Sequence, residues 1–276
     1  GWLAVIGCSA AIFSSGALFF GYPGIMAKYW QTAFGVGADA TGFVMTFALF
    51  GVGLMMFLAG TLQRFMGSQA CFLTGTIFLA GGMLLLNLTD NICFAYLWAF
   101  LMGTGNSFIY MPSLTVVQNW FPQCRGLVTG IVNLIFGTAA AVMSPVLNFL
   151  LVQFGYHTMN FVLFLMITAI GLMALPFVGM PTPARLHGEE WAAHQRLLQS
   201  LKEQAGAKDK GPTLAATSAT PAQAVRTLGF WAMWFTWCFM GSAGISMVSL
   251  ATEYANSVGL TAVVVLTSFN LTNGLS

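Results

Sequence analysis

Long runs without a charged residue alternate with short polar stretches along this chain. Asp, Glu, Lys and Arg are absent from residues 2–27, 40–63, 65–89, 91–124, 126–184, 227–252 and 254–276. A helix of about 20 apolar residues crosses a bilayer, so these runs predict membrane spans. The run 126–184 is long enough for two spans, with an interruption at residues 153–157. We predict eight spans, numbered in chain order: 3–26, 40–61, 70–88, 92–119, 126–152, 158–179, 228–252 and one from about 260 that we expect to continue beyond residue 276.

The composition supports a chain that mostly faces lipid. Apolar residues make up 58% of the 276 positions and charged residues 6%, whereas an ordinary soluble domain carries about 25% charged residues. The predicted fold class is therefore all-α, a polytopic transmembrane helical bundle. The net charge of +2 is too small to favour nucleic acid as a partner.

No catalytic or metal-binding constellation stands out in the predicted spans. The five cysteines follow no metal-ligand spacing, and no His–acid or Cys–His pair falls within the bilayer. His187 and His194 lie in a polar stretch, where solvated side chains are the expected state. We expect a protein that is not an enzyme and holds no cofactor and no metal.

Lysine and arginine are distributed unequally between the two sides of the predicted membrane. With the N-terminus in the cytoplasm, eight of the nine cations fall inside and only Lys28 falls outside. Positive residues favour the cytoplasmic side, so we predict a multi-pass protein of the plasma (inner) membrane with its N-terminus and central loop cytoplasmic. The predicted organisation is a six-helix half at 1–180, a cytoplasmic linker at 181–226 and the truncated start of a second half at 227–276.

Polar side chains form stripes along three of the spans. Asn106 and Tyr110 share a stripe of span 4, Asn133 lies on a stripe of span 5, and Asn270 on one of span 8. Because a polar group inside the membrane costs free energy, such side chains should face the bundle interior or a water-filled path. They are candidate substrate-binding residues, and helix–helix packing through the same groups is the alternative.

The junction between spans 4 and 5 carries a distinctive motif. Residues 120–130 read WFPQCRGLVTG and resemble the W-F-P-x-x-R-G-x-x-x-G junction of the oxalate/formate antiporter family. That family belongs to the major facilitator superfamily and is related to monocarboxylate transporters. Residues 226–234 are similar to the start of the family's helix 7, and residues 269–274 to its helix 8. The resemblance implies the major facilitator fold, with helix 7 and a truncated helix 8 after the N-terminal half.

The resemblance also indicates gating positions and two departures. The superfamily's loop between helices 2 and 3 reads G-x-x-x-D-R/K-x-G, and here residues 60–67 read GTLQRFMG. Gly60, Arg64, Gly67 and the junction residue Arg125 are the implied gating residues, although Arg64 stands where relatives carry the Asp of a cytoplasmic latch. Glu253 stands where relatives favour Pro, which makes it a candidate coupling group.

The implied substrate is a small organic anion. Tyr110 lies ten residues before Trp120, the offset of a binding-site tyrosine in oxalate transporters. The family's cations lie in the second half, one directly after the run that corresponds to residues 273–276, so we expect Arg or Lys to follow Ser276.

The function favoured is secondary active transport of a mono- or dicarboxylate such as oxalate, formate or pyruvate by alternating access, by a monomer whose other partner is the lipid bilayer. Proton-linked efflux of hydrophobic compounds and a non-transporting membrane sensor or scaffold are the alternatives.

Overall fold

The computed structural model of the chain describes residues 1–88, 91–183, 185–186, 188–208 and 221–275. All regular secondary structure in these ranges is helical, which confirms the predicted fold class. The elements are α1 (Trp2–Gly16), a π-helical turn (Ala17–Gly21), α2 (Tyr22–Phe34), α3 (Ala38–Leu86), α4 (Ile92–Trp120), α5 (Arg125–Ala174), α6 (Glu189–Lys208), α7 (Pro221–Ala224), α8 (Leu228–Ser257) and α9 (Ala262–Leu275).

The chain forms two compact units, one of residues 1–180 with 248–276 and one of residues 181–247. In the second unit, α6 begins with Glu189 and Glu190. Acidic side chains at this position interact favourably with the positive end of the helix dipole. The Trp191 ring stacks on His194 at 6.2 Å between ring centroids. His187 lies outside the described residues, so the structure does not describe the other predicted solvated histidine.

Four continuous helical segments of the first unit are long and apolar enough to cross a membrane: Trp2–Phe34, Ala38–Leu86, Ile92–Trp120 and Arg125–Ala174. Two of them have 49 and 50 residues. At 1.5 Å per residue each would be about 75 Å long, more than twice the roughly 30 Å hydrocarbon core. Each must therefore turn back and cross twice.

Both long helices contain a residue with non-helical backbone at which the chain reverses. Gly67 in α3 has φ 81° and ψ 166°, and Gly155 in α5 has φ 76° and ψ 174°. This region of backbone conformation is open essentially only to glycine. Gly155 lies inside the interruption predicted at 153–157. At Gly67 the structure has no loop between the predicted spans 40–61 and 70–88, because helix continues up to the glycine on both sides. Spans 2 and 3 are residues 38–66 and 68–86.

Large apolar side chains cover the outside of the first unit. Phe57 is 68% exposed, Ile77 62% and Met173 72%. So many exposed large apolar side chains are expected where a protein faces a partner or a membrane rather than water. Together with the four apolar segments, this exposure makes the chain a multi-pass membrane protein.

Spans 3 and 4 pack backbone to backbone. A Cβ added to Gly75 would lie 2.8 Å from the carbonyl oxygen of Gly105, and a Cβ added to Gly105 would lie 2.8 Å from that of Gly75. Small residues allow this approach, which maximises van der Waals contact where no hydrophobic driving force acts between helices. The pair fixes the position of α4, which carries the candidate site.

Helix α9, the beginning of span 8, lies against α5 and α2 within the same unit. Leu266 of α9 is fully buried and fits against Gly24, where a Cβ would meet its Cδ2 at 2.7 Å. The first half and the start of span 8 therefore form one packed body.

Candidate functional site

Two predicted site residues meet between spans 4 and 5. The Tyr110 hydroxyl donates a hydrogen bond of 2.8 Å to Asn133 Oδ1. Tyr110 is half-buried and Asn133 is exposed. Among the described residues, no acceptor bonds Asn133 Nδ2. The pair therefore presents free amide N–H donors beside a tyrosine hydroxyl that is already oriented.

Two phenylalanine rings lie in series next to Tyr110. The Phe136 ring lies 5.3 Å from the Tyr110 ring and 5.4 Å from the Phe20 ring. Phe20 belongs to the π-helical turn of span 1, and such turns occur frequently at functional sites. Gly16 allows the approach of span 1, because a Cβ there would lie 2.6 Å from the Phe136 carbonyl oxygen. We call Tyr110, Asn133, Phe136 and Phe20 the Tyr110 cluster.

Asn106, one turn before Tyr110, has a different environment. Its Oδ1 accepts a short hydrogen bond from Ser15 Oγ of span 1. Asn106 is 5% exposed and Ser15 is 1% exposed. In this conformation the side chain joins spans 1 and 4, which is the interhelical role of polar groups in membrane bundles.

Asn270 is fully buried in α9. Its Nδ2 donates to the Leu266 carbonyl of its own helix at 2.8 Å, and its Oδ1 has no partner among the described residues. No hydrogen bond joins it to Tyr110, Asn106 or Asn133 in the described part of the structure. Of the four predicted binding residues, Tyr110 and Asn133 are the two that hydrogen-bond to each other.

The predicted gating residues occupy one end of the bundle. Gly67 is the reversal point of α3, and Gly60 lies beside Met111, whose Cε is 3.9 Å from where a Cβ on Gly60 would be. Arg64 and Arg125 are exposed, and neither pairs with an acid among the described residues. Arg125 is the first residue of α5, where the helix dipole disfavours a cation. Helix stability therefore does not explain why an arginine stands at this position. We call this end the Arg64 end.

Hydrogen bonds from uncharged side chains tie the helices together at the Arg64 end. Gln69 Nε2 donates to the Leu175 carbonyl at 3.0 Å, and Gln118 Nε2 donates to Thr129 Oγ1 at 3.0 Å. Trp120 of the junction motif donates through Nε1 to the Gly179 carbonyl at 2.8 Å. Trp120 thus joins the end of span 4 to the chain after span 6.

The opposite end holds an aromatic cluster that sequence reasoning missed. Trp30, Trp98 and Tyr22 are fully buried, with ring centroids 4.9–6.0 Å apart. The Tyr22 hydroxyl donates to Asn160 Oδ1 at 2.5 Å, and Trp30 Nε1 donates to the Tyr156 hydroxyl at 3.5 Å. The cluster joins spans 1, 4 and 6. The sequence does show aromatic residues grouped near the ends of two spans. Whether their side chains meet depends on how each helix is rotated about its axis, which the sequence pattern does not give.

The remaining predictions concern Glu253 and metals. Glu253 belongs to α8, but its side chain lies outside the described part of the structure. Within the described residues, no three of His, Cys, Asp and Glu lie together as metal ligands.

The Tyr110 cluster can bind a small polar group by hydrogen bonds and an apolar body by ring contact. Its four side chains include no cation. A carboxylate bound here would accept hydrogen bonds from the polar side chains of the Tyr110 cluster. A cation outside the cluster would have to neutralise its charge.

Three known proteins that are similar to this chain are all transporters. The chain is 28% identical over 138 residues to monocarboxylate transporter 9 of Gallus gallus, covering 48% of this chain and 26% of that protein. It is 22% identical over 207 residues to the oxalate:formate antiporter of Oxalobacter formigenes, covering 75% of this chain and 44% of that protein. It is 24% identical over 187 residues to the MFS-type transporter eupM of Phoma sp, covering 65% and 63%. The aligned part is thus about a quarter of monocarboxylate transporter 9 and less than half of the antiporter.

A family model extends over nearly the whole sequence. The model of the Major Facilitator Superfamily matches residues 8–276, which include most of span 1, all of spans 2–6 and helices α8 and α9. The match agrees with the WFPQCRG junction and with the doubly crossing helices α3 and α5. The chain therefore belongs to the major facilitator superfamily.

Proposed function

We propose that this chain forms the first half, the linker and the start of the second half of a secondary transporter for a small organic anion. The observation that carries the proposal is the Tyr110–Asn133 hydrogen bond of 2.8 Å between spans 4 and 5. It leaves the Asn133 amide N–H groups available on an exposed side chain. The substrate would be a mono- or dicarboxylate such as oxalate, formate or pyruvate, because two relatives are a monocarboxylate transporter and an oxalate:formate antiporter.

The proposed binding mode divides the work between the two halves. The Tyr110 cluster would hold the substrate by hydrogen bonds and ring contacts. A carboxylate moved out of water without a counter-charge costs several kcal/mol or more, and the Tyr110 cluster contains no cation. We propose that residues outside spans 1–6 supply the cation, with Asn270 of span 8 and Asn106 joining the site when the helices move between access states.

The proposed orientation places the Arg64 end in the cytoplasm. The domains are then a six-span half at 1–180, a cytoplasmic linker at 181–226 and the start of the second half at 227–276. Gly60, Gly67, Arg64 and Arg125 lie at the cytoplasmic gate, and Glu253 near the outer mouth of span 7 is a candidate coupling group. The transporter would act as a monomer in the plasma (inner) membrane.

A counterflow assay with the full-length chain in liposomes tests the transport proposal. Liposomes loaded with unlabelled oxalate, formate or pyruvate should accumulate the same labelled carboxylate transiently, while an uncharged analogue of similar size should not exchange. Flux of hydrophobic compounds driven by a proton gradient, without carboxylate exchange, would instead support efflux. Absence of both fluxes in correctly inserted protein would favour a sensor or scaffold.

A further inference from the structure

Span 1 contains one turn of π-helix in which a single side chain stays accessible. Within Ala17–Gly21 the backbone hydrogen bonds lengthen, since the Tyr22 N–H donates to the Ala17 carbonyl five residues earlier. The other four residues of the turn are buried, whereas Phe20 is half-buried. Its ring lies 5.4 Å from that of Phe136 in the Tyr110 cluster. The turn therefore directs one aromatic ring to the candidate site.

The direction of the Phe20 ring depends on this turn remaining π-helical. Successive side chains of an α-helix are rotated by about 100°. A return to α-helical spacing would therefore rotate the side chains after the turn by about that angle relative to those before it. Pro23 lacks an N–H and cannot donate to the Phe19 carbonyl as an α-helix requires. This weakens the α-helical alternative, but it does not decide where the Phe20 ring points.

Side-chain hydrogen bonds hold span 1 on both sides of the turn. Before the turn, Ser15 Oγ donates to Asn106 Oδ1 of α4, and both side chains are buried. After the turn, the Tyr22 hydroxyl donates to Asn160 Oδ1 of span 6. Asn106 lies one turn from Tyr110 along α4, so Ser15 is held directly beside the candidate site. Loss of the Ser15 bond would free the start of the turn from span 4 and leave the other hydrogen bond in place.

We propose that Ser15 is a positioning residue of the candidate site, whose hydrogen bond to Asn106 holds the π-helical turn and keeps the Phe20 ring beside Phe136. Without this bond the turn relaxes toward α-helix and the ring leaves Phe136. The consequence for binding rests on the proposed function. The Phe20 ring contacts the carbon chain of the bound carboxylate, and Ser15 thereby favours pyruvate over formate, which has no methyl group.

Fluorine NMR tests the placement of the ring without a transport measurement. A para-fluorophenylalanine is introduced at position 20 of the full-length chain, and Phe136→Leu gives the chemical shift in the absence of the neighbouring ring. In Ser15→Ala the signal should move toward the Phe136→Leu value. The matched control is Ser14→Ala, because the buried Ser14 hydroxyl donates to the Ala11 carbonyl of its own helix at 2.8 Å. This control should keep the parent signal. An unmoved signal in Ser15→Ala, or the same displacement in both serine variants, would refute the proposal.

A second variant covers the case in which Ser15→Ala does not fold. That substitution leaves Asn106 Oδ1 buried without a donor, which costs stability, whereas replacing both partners by apolar groups is closer to neutral. Ser15→Ala combined with Asn106→Leu therefore removes the bond without leaving a buried acceptor unpaired. The double variant must show the displaced fluorine signal, and the parent signal in it would overturn the proposal.

Competition in counterflow tests the consequence for binding. In Ser15→Ala the affinity for pyruvate relative to formate should fall about fourfold, the equivalent of one methyl contact, while Ser14→Ala should keep the parent ratio. A merely structural role of Ser15 would lower thermal stability without changing this ratio. An unchanged ratio in a variant whose fluorine signal has moved would therefore overturn the role in specificity. A parent that exchanges neither carboxylate would contradict the proposed function and the specificity that rests on it, while the fluorine signals would still decide whether Ser15 places the ring.

Discussion

Replacement of Tyr110 by Phe removes one oxygen atom from the candidate site and little else. The Tyr110 hydroxyl donates only to Asn133 Oδ1, at 2.8 Å, and the ring packs 5.3 Å from Phe136. Phe keeps the ring contact. Asn133 is exposed, so its carbonyl can be hydrated once the donor is gone, and the variant should fold as the parent does.

The expected loss of affinity follows from the two bonds that the hydroxyl can make. If Tyr110 only orients Asn133, one neutral hydrogen bond is lost, worth about 0.5–1.5 kcal/mol, or roughly two- to twelvefold in Kd. If the hydroxyl turns to the carboxylate itself, the loss rises to about 3 kcal/mol, which is on the order of 150-fold. Tyr110→Ala should weaken binding further, because it also removes the ring contact with Phe136.

Substrate affinity is measured by competition in counterflow, with Tyr96→Phe as the matched control. Tyr96 lies on the same helix, and its hydroxyl donates to the Ala40 carbonyl at 2.9 Å. That bond joins spans 4 and 2 at a position 14 residues before Tyr110 along α4. Tyr96→Phe should therefore keep the parent affinity. Affinity equal to that of the parent in both Tyr110→Phe and Tyr110→Ala would refute the reasoning and leave Tyr110 as a packing residue.

Three further predictions concern orientation, coupling and packing. Impermeant cysteine reagents should reach positions in 182–224 only from the cytoplasm and positions in 30–38 only from outside; the reverse pattern would invert the proposed topology. Glu253→Gln should abolish a pH dependence of transport if the carboxyl is the coupling group, whereas the same pH–rate profile in variant and parent would make it a rim charge. Gly75→Ala should lower stability in detergent by about 1–3 kcal/mol through overpacking, since the new Cβ would lie 2.8 Å from the facing carbonyl. Gly81→Ala, on the same helix with open space around it, should not lower the melting temperature, and equal shifts in both would contradict the close contact.

Hydropathy and motif alone were sufficient for the fold class and the family. Apolar runs predict helices because lipid offers no partner for backbone N–H and C=O groups, and this constraint acts locally. The run 92–119 accordingly matches Ile92–Trp120, and the interruption at 153–157 contains Gly155. The polar stripes of spans 4 and 5 singled out Tyr110 and Asn133 as candidate residues, but they did not predict the hydrogen bond between the two.

Tertiary structure alone decided what each polar side chain meets. Asn106 and Tyr110 lie on one stripe, yet Asn106 accepts from Ser15, 91 positions away in the sequence, while Tyr110 meets Asn133. The Asn270 amide donates a hydrogen bond to the Leu266 carbonyl of its own helix. The hydropathy pattern does not predict the π-helical turn that contains Phe20. It also does not predict the hydrogen bond from Gln63 Nε2 to Ser68 Oγ across Gly67. These contacts depend on how far each helix rotates and how closely its small residues let it approach its neighbours, and both follow from packing between residues that are distant along the chain.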